Sequence, residues 1–244
     1  MNNHRIPLYY DLHLHTCLSP CGDIDMTPAN VVGMASLLGL QVIAITDHNS
    51  CKNCEPAMKH GETYGITVIP GMELTTAEDV HVVCLFETLE DAMRFDTYVY
   101  EHMLSIPNRP DIFGEQLILD VYDQTIGEVE NLLISATDIS YDDCFDLVAS
   151  FRGIVFPSHL DRSSNNVISN LGFIPPDSKF TCAELYDLKQ LHRIREANPY
   201  LEQCRILSNS DAHNLEAIRD PKLQLYAKSR SIRDVLSALT ERQL

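Results

Sequence analysis

Gln41-Val42-Ile43-Ala44-Ile45-Thr46 is a nearly continuous apolar run of strand length, the mark of a parallel strand buried on both faces. A helix is predicted just before it. Thr27 is its N-cap, Pro28 takes the first helical position and Gly39 stops it. Val31, Met34, Ala35 and Leu38 fall on one face of that helix. A second helix follows over Glu55 to Tyr64, ended by Gly65, and then a strand at Ile66-Thr67-Val68-Ile69-Pro70. Leu8 to Leu14 reads as an earlier strand and Val80 to Phe86 as a later one. Strand and helix alternating in this way give a parallel α/β fold, with a barrel preferred to an open sheet. The 244 residues suit one such domain, since single α/β barrels run to ~200–250 residues.

The rhythm breaks between Thr88 and Phe151. Leu89 to Met103 reads as a helix, Ile106 to Pro110 as a break, and Leu117 to Leu133 fits neither element. A helix capped by Ser140 runs to Gly153. The segment 88–151 is read as an insertion decorating a single domain that spans residues 1–244. Strand signals resume at Ile154-Val155-Phe156, Cys182 to Tyr186 and Arg205 to Ser208, and a helix capped by Ser231 closes the chain.

The chain carries 35 acidic and 18 basic residues, a formal net charge of -17. A surface that negative repels nucleic-acid backbones and anionic lipid, so neither long nucleic acid nor a membrane is an expected partner. Short oligonucleotides stay open. No run approaches the ~20 apolar residues needed to cross a bilayer. Met1 to Pro7 lacks an apolar signal core, and a cytoplasmic protein is expected. An anionic substrate then needs strong local positive charge, which bound metal ions supply.

Six of the ten histidines stand at element ends beside carboxylates. The strings are Asp11-Leu12-His13-Leu14-His15, Thr46-Asp47-His48-Asn49, Gly71-Met72-Glu73, Asp79-Val80-His81, Ser158-His159-Leu160-Asp161-Arg162 and Ser210-Asp211-Ala212-His213. Residues two apart in a strand project to the same side, so His13 and His15 share one space, as do Asp211 and His213. Strand ends in a parallel barrel converge on one face. Imidazoles and carboxylates gathered there make a site for a borderline metal: Zn, Mn or Fe. Burying so many polar groups costs ~1–3 kcal/mol each unless they are satisfied, and coordination satisfies them together. His81 fits less well, because it precedes its strand's apolar run. His4, His60, His102 and His192 read as surface or hydrogen-bonded helix residues, and Asp47 before His48 can equally be a helix cap.

Taken in order, Asp11-Leu12-His13-Leu14-His15-Thr16, Thr46-Asp47-His48, Gly71-Met72-Glu73, His81, His159 and Ser210-Asp211-Ala212-His213 resemble the PHP family. This is the polymerase and histidinol phosphatase superfamily of metal-dependent phosphoesterases. The resemblance implies a distorted (β/α)7 TIM-like barrel holding two or three divalent metal ions (Zn, Mn or Fe). It implies that His13, His15, Glu73 and Asp211 hold one metal, and that Glu73 bridges to a second completed by His81 and His159. A third takes Asp23, His48 and His213, with Asp25 competing for the place of Asp23.

The implied activity is hydrolysis of a small phosphorylated metabolite or nucleotide by a metal-activated hydroxide. Asp47, next to His48, is a catalytic candidate that orients a water or a ligand. Arg162, close after His159, is a candidate to hold a phosphate oxygen, with a surface ion pair as its plain alternative. Two rival readings are a metal-dependent hydrolase of another bond type and a non-catalytic metal-binding PHP module. Cys17-x-x-x-Cys21 and Cys51-x-x-Cys54 fall in neighbouring loops, as free thiols or as an extra Zn site. Cys84, Cys144, Cys182 and Cys204 read as small buried hydrophobes.

Overall fold

The structure is a computed structural model and describes residues 5–241; His4 and the start of the N-terminal segment lie outside the described residues. Strands β1 (Ile6–Leu14), β2 (Val42–Ile45) and β3 (Thr67–Thr75) pair in parallel, joined by α1 (Pro28–Leu37) and α2 (Cys54–Tyr64). The punctuation acts as the sequence reads. The Thr27 side chain accepts from the Asn30 N–H, and Gly65 ends α2 in the left-handed conformation at φ 69°.

Parallel pairing stops at β3. Strand β4 (His81–Phe86) turns back antiparallel, setting His81 opposite Thr75 and Val83 opposite Glu73. Helices α3 (Leu89–His102) and α4 (Pro110–Phe113), the hairpin β5 (Leu117–Leu119) and β6 (Thr125–Glu128), and α5 (Tyr141–Ser150) follow. Strand β7 (Gly153–Pro157) is antiparallel to β4 and so runs with β3 again. After α6 (Val167–Leu171), strand β8 (Cys182–Glu184) pairs in parallel with β9 (Arg205–Leu207), with α7 (Leu191–Ala197) between them. Strand β10 (Gln224–Ala227), which no sequence signal marked, adds antiparallel to β1, and α8 (Ile232–Thr240) follows. The continuous sheet has the order β10-β1-β2-β3-β4-β7, with β8-β9 a separate pair. The Leu160 N–H donates to the Glu184 carbonyl, and Leu14 bridges Ala212, so the pair ties both flanks together and the sheet curls. The fold is mixed α/β with a curled six-strand half-barrel sheet, consistent with a TIM-like fold, in which β4 and β10 run antiparallel to their neighbours.

Two cores sandwich the sheet. Leu8, Tyr10 and Leu12 of β1 join Val42, Ala44, Ile69, Val83, Phe156 and α8 residues Val235 and Leu239 inside the curl. Ile43, Ile45, Val68, Met72 and Leu74 instead meet the helices, including Val31, Ala57 and Phe95. Leu14 belongs to the helix side although Leu12 faces inward, because the β1–β2 register shifts between Asp11 and Leu14. Such an extra residue re-aims side chains at a strand end. It turns His13 and His15 inward.

Two parts of the segment 88–151 pack as sheet-covering helices, with Phe95 and Val99 of α3 and Val148 of α5 in the helix-side core. The hairpin lies over the loops after β1 and β2. There the Asn53 amide donates to the Leu117 carbonyl at 3.1 Å and to Thr16 Oγ1 at 2.9 Å. Among the described residues no helix is long and apolar enough to cross a membrane.

Gly71 sits two residues before Glu73 in β3, opposite Leu85 of β4. A Cβ there would stand 2.7 Å from the Cys84 carbonyl oxygen and 2.8 Å from Leu85 Cδ2. A paired backbone carbonyl cannot withdraw, so Gly71→Ala should destabilise the protein by about 1–3 kcal/mol. A thermal melt checks this, with a Tm lowered by about 3–10 °C. An unchanged Tm would show that the two strands can part at no cost.

Candidate metal centre

Each strand end delivers one or two donors. His13 and His15 come from the end of β1, His48 follows β2, and Glu73 lies in β3. His159 follows β7, and Asp211 and His213 follow β9. His81 opens β4, and because β4 runs against β3 its first residue, not its last, lies at this end of the sheet. That reversal resolves the poor fit of His81 in the sequence pattern.

Glu73 is the hub. Its Oε1 lies 3.2 Å from His13 Nε2, 3.2 Å from His81 Nδ1 and 3.3 Å from His159 Nε2. Its Oε2 lies 3.2 Å from His48 Nδ1 and 3.4 Å from His15 Nε2. Asp211 Oδ1 stands 3.3 Å from His15 Nε2 and 3.5 Å from His13 Nε2. Asp211 (φ 51°) and His159 (φ 26°) hold left-handed backbone, a strain that non-glycine residues keep only where surrounding structure enforces it.

Among the described residues three sets of ligand atoms come within 4.8 Å of one another: His13, His15, Glu73 and Asp211; His48, Glu73 and His81; and His15, His48 and His213. The first set coincides with the one the sequence resemblance implies. In the second, His48 joins Glu73 and His81, while His159 touches Glu73 alone among the carboxylates within ion-pair distance. In the third, His15 stands where Asp23 was expected. Asp23 and Asp25 are both exposed and belong to none of the sets. The loop turns tightly, with the Gly22 N–H on the Ser19 carbonyl and the Met26 N–H on the Asp23 carbonyl. Only the backbone N–H of Asp23 reaches the site, on the His213 carbonyl at 2.8 Å.

Outer partners fix the tautomers. His13 Nδ1 faces both Glu184 oxygens at 3.0 and 3.1 Å, so it carries the proton and donates to that carboxylate. Ser19 Oγ gives its proton to Asp47 Oδ1 at 2.7 Å, so it accepts from His15 Nδ1–H at 2.9 Å. Both imidazoles therefore turn Nε2 inward, and the two Nε2 atoms are 3.2 Å apart. Two nitrogens this close beside two carboxylates call for positive charge among them, which a proton on His13 or a metal ion supplies. Glu73 Oε1, His48 Nδ1 and His159 Nδ1 are buried with no hydrogen-bond partner, which agrees with a donor set built for coordination.

Glu184 is the residue the sequence reading missed. It is fully buried, and besides His13 it accepts from the Asn209 amide at 2.7 Å and the His159 N–H at 3.2 Å. Its one sequence signal is a lone acid within the apolar strand Cys182-Ala183-Glu184-Leu185. Asp47 stands behind His15. Its oxygens accept from the Thr16 N–H and hydroxyl and from Ser19, which makes it a positioning residue behind His15.

The site's own charges bias its protonation. Burial opposes the charged form of His13, yet Glu184, Glu73 and Asp211 outweigh it and hold the imidazole well above its usual value, so its inward Nε2 takes up a proton that a metal ion would displace. Burial and the neighbouring imidazoles push His15 and His48 well below theirs. Burial works to raise Glu73, but His13 and His81 overcome it and keep the carboxylate ionised.

Arg162 does face the site. Its guanidinium is 3.0 Å from Asp211 Oδ2 and, with Ser164 and Asn165, borders the cavity of about 190 Å³ over the histidines. The four loop cysteines do not meet as a Zn site. Cys51 and Cys54 are buried beneath β3, both thiols donating to the Gly71 carbonyl, whereas Cys21 is exposed. None of the three candidate cation sets among the described residues contains a cysteine.

Residues 11–177 match the family model described as the PHP domain. A stretch of 90 residues is 32% identical to the 5'-3' exoribonuclease Rnm of Escherichia coli K12, covering 35% of this chain and 30% of that protein. The matches span less than half the length of the curated relatives. Among solved structures, the fold resembles the lesion-specific endonuclease PfuEndoQ of Pyrococcus furiosus at TM-score 0.66 and 17% identity, covering 98% of this chain and 58% of the endonuclease. It also resembles a Bifidobacterium adolescentis protein provisionally named a metal-dependent phosphoesterase, at TM-score 0.59 and 16% identity, covering 97% and 96%. Two of these proteins are nucleases by name, which overturns the expectation that acidity excludes long nucleic acid as a partner. Net charge averages over the whole surface, whereas recognition depends on the local field at the site.

Proposed function

The chain belongs to the PHP domain family, and from that premise we propose that it is a metal-dependent phosphoesterase acting on a phosphorylated nucleotide, free or at the end of a strand. The observation that carries the reading is the pair of inward-facing Nε2 atoms of His13 and His15, 3.2 Å apart between Glu73 and Asp211. In this proposal His13, His15, Glu73 and Asp211 hold one divalent ion. Glu73, His81 and His159 hold a second, with His48 beside them, and His15, His48 and His213 offer a third place. Zn, Mn and Fe all suit such nitrogen and oxygen donors.

When bound, such ions neutralise phosphoryl oxygens and bring the pKa of a water toward neutrality, so that it becomes a nucleophile. The chain's own residues do the rest. Glu184 and the Asp47–Ser19 pair occupy Nδ1 of His13 and His15 and so keep Nε2 as the atom offered to a metal ion. Arg162 borders the cavity and takes a non-bridging phosphate oxygen. The chain is read as one PHP domain carrying the insertion 88–151, working in the cytoplasm, a setting that its eight free thiols suit.

The test is release of phosphate from a generic aryl phosphate with added Mn²⁺ or Zn²⁺, comparing wild type with His13→Ala. Metal-dependent release by wild type, lost in the variant, is the expected result. No release above background by wild type with any of these metals would overturn the proposal.

A further inference from the structure

Asn49, the residue after His48, is buried and takes left-handed backbone at φ 46°, a conformation that asparagine tolerates better than most residues. Its N–H and its side-chain amide are fully engaged. The N–H donates to the Glu73 carbonyl at 3.0 Å. Oδ1 accepts from the Thr75 N–H at 2.9 Å. Nδ2 donates to the Leu133 and Ser135 carbonyls at 2.7 and 2.8 Å, both of them in the segment 88–151. One N–H facing the oxygen and two carbonyls facing the nitrogen fix the orientation of the amide. A carboxylate of the same shape has no donor for those carbonyls, and a shorter side chain reaches neither side.

The parallel ladder between β2 and β3 ends at Ile45 and Pro70, before β3 reaches Glu73. Beyond it the two chains bridge once, at His48 and Glu73, and the Asn49 side chain carries the edge on to Thr75. Asn49 thereby touches every member of the set His48, Glu73 and His81. It adjoins His48 in the chain, holds the Glu73 carbonyl, and holds Thr75, which lies opposite His81 in the β3–β4 ladder. On the far side a second buried amide pins the same segment. Gln116 Nε2 donates to the Val129 and Asn131 carbonyls, and its Oε1 accepts from the Leu133 N–H. Thr137 closes the tie, its N–H and hydroxyl both donating to the Thr75 carbonyl.

We propose that Asn49 is a positioning residue for the cation place of His48, Glu73 and His81, and that through it the segment 129–137 acts as a supporting wall of the metal centre. The three donors arrive on separate elements, and the tie sets their spacing. Its loss lowers the affinity for an ion there without removing a ligand. Linkage makes the effect reciprocal: an ion that needs the tie must also protect it. The inference rests on the reading of the site as a metal centre, and not on which bond the protein cleaves.

The experiment is calorimetric titration with Mn²⁺ of wild type, Asn49→Gly, Asn49→Asp and Val235→Ala, the last a truncation in the core inside the curl. Glycine accepts the backbone and deletes the amide. Aspartate keeps the acceptor for Thr75, loses both donors to the segment, and adds a negative charge that by itself favours a cation. Both Asn49 variants should nevertheless bind one ion per chain about tenfold less tightly, or worse. Val235→Ala, lower in Tm, should bind as wild type does. Wild-type affinity in Asn49→Asp, or an equal loss in Val235→Ala, overturns the proposal. Hydrogen exchange of the wild type, metal-free against metal-loaded, needs no variant to fold. The amides of Thr75, Leu133 and Thr137 should exchange several-fold more slowly with metal bound, and unchanged rates overturn the proposal. If both results hold but aryl phosphate is not hydrolysed with any metal, the inference stands and the phosphoesterase reading falls. A wild type that binds no divalent ion overturns both.

Discussion

Glu73→Gln is expected to cut phosphate release by about 10²–10³-fold or more, the scale of removing one main electrostatic contact from a reacting centre. Glu73 places its two oxygens within 3.4 Å of five imidazoles, and two of the three candidate cation sets include it. Its carboxylate stays ionised despite full burial because His13 and His81 favour the charge. An amide of the same shape removes that charge and turns one acceptor into a donor, which can hydrogen-bond to the bare imidazole nitrogens. The variant should therefore fold while losing at least one metal ion per chain. Elemental analysis of the metal-supplemented protein, run beside the aryl phosphate assay, checks both halves. Metal content and rate within twofold of wild type would remove Glu73 from the centre of the mechanism.

The donor set was legible because each ligand stands in a short polar string against an apolar strand end, a contrast that needs no knowledge of the fold. The parts that were not legible depend on pairing at long range. His81 looked misplaced because strand direction is set by the partner, and only the antiparallel β3–β4 ladder brings its first residue to the site. The inward turn of His13 rests on a register shift between Asp11 and Leu14 that nothing in Asp11-Leu12-His13-Leu14 announces. The direction of Asp23 is decided by the turn after Ser19, a loop geometry that the resemblance does not carry. Strand β10 is short and half-exposed at a sheet edge, where little hydrophobic pattern is required. The nucleic-acid expectation failed because a net charge of -17 averages over the whole surface and says nothing of the field at one site.

Glu184 is the sharpest case of such long-range dependence, since its partner His13 lies 171 positions away. Removing its side chain should act on metal affinity through the tautomer of His13. Without an acceptor at Nδ1, the neutral ring no longer favours the form with a bare Nε2, and affinity is expected to fall about 10–100-fold, as for other outer partners of metal-bound histidines. Glu184→Ala also leaves the Asn209 amide and the His159 N–H without their buried acceptor, a further loss of about 1–3 kcal/mol in stability for each group left unpaired. Glu184→Gln keeps an acceptor oxygen for His13 and should recover most of the affinity, which separates the hydrogen bond from the charge. Metal titration gives the affinities, and nitrogen NMR of the His13 ring gives the tautomer, which a purely structural role for Glu184 would leave unmoved. If Glu184→Ala binds metal as tightly as wild type with the His13 proton still on Nδ1, the geometry of His13 is fixed by packing and not by this carboxylate.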